Sequence, residues 1–385
     1  MRSNFHRLAV LGLFAAIVGH AQSAQAYPQW QFSTGTTRCN QCHYAPGGGG
    51  LINDYGRDAD GDDLSTWQGD GSFLHGAATL PSFVKLGADL RLALAAQDNG
   101  GPEQPAFAVF PMQLDGHIRL AFEAFSFQAI GGVRGQVRRT DAPIPSENIQ
   151  PENSSRIVSR EHWVSWQPEA RGYYARAGRF FAPFGLRLAE HLVYVRRDLG
   201  FNTLQETYNV SAGYLENQWE AHVTVFGPDF LQAGTREAGV AAYGEYRLLD
   251  ETAAVGLQTK YALDAGFDRF IGGAVGKLHI EPVNVLLMGE ANYVRLIPDG
   301  VTAVGQFVGL VGASWFPPVR GIILTGWVER LQGDIATADT GSSAATASLS
   351  WFPYPHTEIQ AVDRVQGVDG AVTFNTFLLQ LHYFM

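Results

Sequence analysis

The chain is predicted to be all-β, and three observations carry the prediction. From Ser82 to Met385, apolar and polar residues alternate with a period of two in one segment after another. Hydrophobic residues make up 46 % of the 385 residues, charged residues only 17 %, and there are 44 glycines, a profile of many strands and turns. The connections between the alternating segments are short and long by turns. Together these predict a transmembrane antiparallel barrel of about sixteen strands, with both termini on the short-turn side. After residue 26 no apolar run approaches the roughly 18 to 20 residues of a membrane helix, so any membrane role falls to strands.

Residues 1–26 read as a secretory signal. Arg2, His6 and Arg7 supply the positive start, Leu8 to Val18 the apolar core, and Ala24-Gln25-Ala26 the small-residue cleavage site. The mature chain is then expected to start at Tyr27, and the formal charge of −10 argues against nucleic acid as a partner.

Residues 27–81 form a small segment built around Cys39-Asn40-Gln41-Cys42-His43. Two thiols at this spacing, followed at once by histidine, suit covalent attachment of one c-type haem, with His43 ligating the iron. These are the only two cysteines of the chain. A local disulfide and half of a zinc site are the competing readings, although no further ligands stand nearby for zinc. Export agrees with haem, since bacterial c-type haem is attached outside the cytoplasm. Gly47 to Gly50 let the backbone turn sharply or approach a flat macrocycle, and a flexible linker has the same composition. Asp58, Asp60, Asp62 and Asp63 resemble a calcium loop without its glycine or its final glutamate, and read better as a solvated acidic loop. The second axial iron ligand is expected at His75, in the same small segment, so that binding closes only a short loop. Met112 and an open position are the alternatives, and a Met/His pair would raise the potential.

Residues 82–385 form the barrel. In its first strand Val84, Leu86, Ala88, Leu90, Leu92 and Leu94 share one face, with Lys85, Asp89 and Arg91 on the other. Further strands are expected at 107–124, 125–136, 157–167, 172–181 and 203–215, and onward in the same manner to 372–385. An apolar face set against a charged one suits lipid outside and water inside, although a soluble sandwich alternates too. The connections favour the barrel. Those after even-numbered strands are short, as at 167–171, 249–251, 317–318 and 353–355, whereas those at 137–156, 182–202 and 331–340 are long and polar, with short exceptions after the ninth and eleventh strands. Ser314-Trp315-Phe316-Pro317 returns as Ser350-Trp351-Phe352-Pro353, as expected of an interfacial aromatic girdle. Phe377, Leu379, Leu381, Tyr383 and Met385 are expected to face lipid together up to the last residue.

Two resemblances follow from these residues. Gly178-Arg179-Phe180-Phe181-Ala182-Pro183-Phe184-Gly185-Leu186-Arg187-Leu188-Ala189-Glu190-His191 resembles the stretch in phosphate-selective and related outer-membrane porins where a strand hands over to an outer loop. The order of signal, single haem motif and porin resembles the fused cytochrome–porin proteins of iron-oxidising bacteria, on Gly35, Thr36, Cys39, Cys42, His43 and Leu51 to Gly56. The Gly47–Gly50 run and the acidic loop depart from that family. The resemblance implies a haem segment lodged at or in the barrel lumen, moving electrons across the bacterial outer membrane.

An apolar band about 25 Å tall is more than one haem spans alone, so a useful haem must sit in the lumen. Asp115, His117, Arg119 and Glu123 on the second strand, with Glu220 and His222 on the seventh, are the lumen-facing candidates to pair with its propionates or tune it; ordinary lumen polarity is the alternative. No sequence-local hydrolase signature or phosphate loop stands out. Three functions remain. The first is an electron conduit linking an extracellular donor or acceptor to periplasmic cytochromes. The second is a passive diffusion porin with an appended periplasmic haem segment. The third is an extracellular Fe(II) oxidase.

Overall fold

Sixteen antiparallel strands close into one barrel, each hydrogen-bonded to its neighbours in chain order, with the first pairing the last. The computed structural model describes residues 28–98, 106–133, 157–190, 192–202, 205–230, 236–368 and 374–385. The expected signal segment, the whole loop at 137–156, and His191 lie outside the described residues. The strands are β1 (Val84–Asp98), β2 (Ala106–Phe122), β3 (Phe125–Val133), β4 (Ile157–Trp166), β5 (Gly172–Phe180), β6 (Thr207–Leu215), β7 (Trp219–Gly227) and β8 (Ala238–Leu248). They continue as β9 (Ala253–Asp264), β10 (Phe267–Ile280), β11 (Val285–Pro298), β12 (Val304–Trp315), β13 (Ile322–Gln332), β14 (Gly341–Trp351), β15 (Thr357–Val368) and β16 (Phe374–Phe384).

Alternation sets which face of each strand meets lipid. Leu90, Leu92 and Leu94 point outward on β1, whereas Asp89 and Arg91 are buried toward the lumen. On β9, Val255, Leu257, Tyr261 and Leu263 point outward, and Gln258 and Lys260 inward. Closure pairs Leu90 with Tyr383 and Leu94 with Leu379. Even the terminal residue is held, its N–H donating to Ala88 O at 2.9 Å and its carbonyl accepting from Ala88 N at 3.1 Å. Each strand pairs with both of its neighbours, so the sheet closes on itself, as a membrane-spanning sheet requires.

Several expectations change in detail. Met385 is buried, its sulfur 3.2 Å from the Leu74 amide, because the N-terminal segment covers the end of β16. Trp315 faces outward at its turn as expected of a girdle, but Phe352 turns inward and packs edge-on against Trp30, ring centroids 5.3 Å apart. Trp67, from the N-terminal segment, joins the girdle instead, 5.5 Å from Trp351 and 4.8 Å from Tyr354. Glu123 is not on the lumen wall: β2 ends at Phe122, and Glu123 is exposed in the following turn with φ of +52°.

The connection after β5 is not an outer loop. Phe184, Leu186, Leu188, Val193 and Tyr194 are buried in one cluster with Ile271, Leu286, Met288, Val308 and Trp327 of the far wall. Wall side chains satisfy its backbone: Gly185 N–H donates to Gln258 (2.7 Å), Leu186 N–H to Glu290 (2.8 Å) and Tyr194 N–H to Glu329 (2.6 Å). The apolar run could not be left in water, and the lumen is the available place to bury it.

Residues 28–81 enter the lumen from the short-turn end. Arg38 and Asn40 donate to the carbonyl of Ala170 in the β4–β5 turn, at 2.9 and 2.6 Å. Thr66 and Trp67 N–H donate to Phe352 O (2.8 Å) and Pro353 O (3.0 Å) in the β14–β15 turn. Gln31 reaches across to Glu245 (3.2 Å) and accepts from Lys277 (2.7 Å) on the wall. The segment is thus a fitted part of the barrel interior.

Candidate functional site

Cys39 to Gln41 form a single tight turn, with the His43 N–H returning to Cys39 O at 3.1 Å. That turn brings two thiols and an imidazole from five consecutive residues to one place. Asn53 braces it, donating through its side-chain amide to Gln41 O (2.9 Å) and through its backbone to Cys42 O (2.8 Å). The same Asn53 caps α1 (Asp54–Ala59), accepting from Gly56 N–H at 2.9 Å. Gly56 has to be glycine: a Cβ there would stand 2.5 Å from the Cys42 carbonyl. His43 pairs with Ile52 across the turn made by the glycine run. Gly48, Gly49 and Gly50 all have φ near +60 to +80°, and Gly49 and Gly50 are buried, so the run is a left-handed turn inside the lumen and not a linker. Arg187 of the inner loop donates to Gly47 O and lies 3.2 Å from Glu220.

The acidic stretch is helical. α1 continues as a wider turn over Asp60–Leu64. Asp60 is buried and accepts from the backbone N–H of His356 in the β14–β15 turn at 2.5 Å. The stretch expected as a loop is thus helical; Asp58, Asp62 and Asp63 are exposed as expected, and Asp60 is the buried exception. Among the described residues, no three His, Cys, Asp or Glu side chains stand together as a metal-ion site.

A cavity lies between this segment and the wall made by β16, β1 and β2. The segment contributes Trp30, Cys42, His43, Ile52 and Leu64, and the wall contributes Asp89, Arg91, His117, His382 and Met385. Both cysteines are free. Burial pushes the Cys42 thiol up to about 12, with the neighbouring Cys39 adding to it. Burial lowers His43 to about 4 against the pull of the Gly50 and Gly49 carbonyls, so its ring is neutral at physiological pH, the form that binds metals. Its Nδ1 is buried without a hydrogen-bond partner. Two free thiols, a neutral imidazole with an unspent nitrogen and a partly apolar cavity meet the chemical needs of a covalently held haem.

The other predicted site residues are placed as follows. His75 does not join His43: it is exposed at the rim, 5.3 Å from the His356 ring and 6.5 Å from Tyr383, and does not line the cavity. His382, next to Tyr383 on β16, faces inward and lines the cavity. Met112 is packed with Ala93, Phe110 and Leu378, away from the cavity. Asp115 is buried 3.3 Å from Arg160, and Arg119 stacks over the Tyr44 ring at 4.3 Å. Glu220 and His222 belong to a separate network, with Arg187 and Arg247 on Glu220 and Tyr174 at 2.8 Å from His222. Of the six lumen candidates only His117 lines the cavity. Arg91, His382 and Met385 were not singled out for the cavity; the strand alternation that sends Asp89 and Arg91 inward was the available signal for Arg91.

A closed sixteen-strand barrel with an apolar exterior, an aromatic rim and a charged lumen defines the class: a porin-like barrel of the bacterial outer membrane. Solved structures agree. The chain is similar in fold to OprB of Pseudomonas putida, with a TM-score of 0.61 and 13 % identity over 84 % of this chain and 99 % of that one. The anion-selective porin from Comamonas acidovorans follows, with a TM-score of 0.54 and 12 % identity over 78 % and 99 % of the two chains. The outer membrane channel DcaP of Acinetobacter baumannii gives 0.53 and 12 %, over 78 % and 97 %. At such identities the likeness is one of fold. No protein-family description and no curated protein matches the sequence.

Proposed function

We propose that the protein is an electron conduit of the outer membrane, carrying one covalent haem in the lumen at the periplasmic mouth of the barrel. The observation that carries this reading is the position of the C-x-x-C-H turn. It is braced inside a porin-like barrel, with Cys42 and His43 lining a cavity against the barrel wall, instead of hanging outside the mouth. Cys39 and Cys42 would hold the macrocycle through its vinyl groups and His43 its iron. The bound group supplies reversible one-electron chemistry. The chain's own part is to hold it dry and oriented, with Trp30, Ile52 and Leu64 as apolar lining and Arg91 as a cation within the cavity. Its partners would be an electron donor or acceptor outside and periplasmic cytochromes within; an extracellular Fe(II) oxidase uses the same site.

Purified native protein is expected to carry covalent haem in a one-to-one ratio, measured by mass and by optical spectrum. Cys42→Ala is expected to lose the stable stoichiometric attachment while the barrel still folds. A haem-free, fully folded native barrel sinks the reading. The second reading, a passive channel, is favoured by the fold neighbours, which include a porin titled anion-selective and an outer membrane channel. On that reading Cys42→Ala leaves solute flux unchanged.

A further inference from the structure

Of the polar side chains lining the cavity, His117 is the one whose chemistry is least accounted for. It stands on β2, is 5 % exposed, and neither Nδ1 nor Nε2 has a hydrogen-bond partner. Its cross-strand neighbours are Gly87 on β1 and Ile130 on β3, which offer no polar side chain. A buried imidazole is normally hydrogen-bonded, and one left with both nitrogens unspent is rare enough to need a reason. His43, on the segment side of the same cavity, has its own unpartnered nitrogen.

We propose that His117 is the second axial ligand of the iron, so that the group is clamped between the N-terminal segment through His43 and the barrel wall through His117. The inference rests on the haem reading above and adds the ligand, which is supplied by the barrel itself. The other donors in the cavity are engaged. His382 has Nδ1 at 3.0 Å from Glu358 and Nε2 at 2.9 Å from Asp89. Met385 has its sulfur against the Leu74 amide at 3.2 Å. A neutral imidazole has one lone pair to give, and only at His117 is no hydrogen bond lost when it is given. A ligand from the wall also means that binding fastens the segment to the barrel, because removing the group would leave two buried imidazoles facing one cavity.

The test uses the purified full-length holoprotein and reads spin state and reduction potential by optical and electron paramagnetic resonance spectroscopy. The wild type is expected to be six-coordinate and low-spin. His117→Ala is expected to convert it nearly completely to high spin, with added imidazole restoring the low-spin form. His117→Met keeps a ligating side chain and is expected to stay low-spin with a raised potential, as Met/His ligation does; it serves if the alanine variant fails to fold. A potential unchanged in His117→Met overturns the proposal. So does a His117→Ala protein that remains low-spin, or conversion to high spin by His382→Gln, Met385→Leu or His75→Ala instead. A wild type that holds stoichiometric haem in a high-spin form overturns the ligand assignment alone. Native protein without haem overturns the reading beneath it.

Discussion

Asp60 and His356 tie the N-terminal segment to the barrel rim, and their protonation sets how that tie responds to pH. Asp60 is raised from 3.8 to about 7, chiefly by burial, with the His356 N–H opposing and Glu358 adding to it. Its contribution to stability is full below pH 3.8 and lost as pH rises through about 7. His356 is lowered from 6.5 to about 4, again chiefly by burial, with the Gly71 carbonyl opposing. Its contribution is present above pH 6.5 and lost as pH falls through about 4. Between about 4 and 6.5 the two slopes offset each other. Asp60→Asn keeps the acceptor for the His356 N–H and removes one slope, so segment docking should strengthen as pH rises across that window. Protease protection of residues 28–81 in detergent, followed against pH, measures it, and a profile as flat as the wild type's counts against the pairing. At this scale Cys39, Cys42 and His43 were legible because their chemistry is local in sequence. Asp60 was not, because its partner is nearly three hundred residues away.

The strands were legible almost completely, since lipid outside and polar lumen inside impose a period of two along each of them. Their lipid face gives a direct prediction. Leu257 is 68 % exposed near the middle of β9, with Gln258 buried beside it. Leu257→Arg should cost about 2–4 kcal/mol in denaturant unfolding from lipid vesicles if that height is the midplane. A loss below about 1 kcal/mol would place the residue at an interface instead. The connection after β5 was the element read wrongly. Length and polarity separate long loops from short turns, but whether a long loop folds out or in depends on the wall opposite. Here Gln258, Glu290 and Glu329 of three different strands accept its N–H groups.

At the scale of the whole molecule, the lumen is occupied from two directions. Residues 28–81 fill the short-turn end, the loop after β5 crosses the middle, and Arg187 joins the two through Gly47 and Glu220. An sixteen-strand barrel otherwise encloses an aqueous channel. In planar bilayers the full-length protein should therefore pass little current, and deletion of residues 28–81 should raise conductance several-fold. Equal conductance in the two would favour the segment as an appendage on an open channel.

The one-dimensional pattern was enough for the strand count, the lipid face, the turn asymmetry and the C-x-x-C-H turn, because each depends on residues near one another in the chain. What only the tertiary structure decided is what meets across the lumen. His43 comes from the segment, His117 from β2 and Met385 from the last turn of chain, and closure of the barrel brings all three to one cavity. His75, nearest to the motif among the histidines in sequence, is exposed at the rim and does not line that cavity. Proximity along the chain did not say which residues share the cavity, because barrel closure brings together residues far apart in sequence.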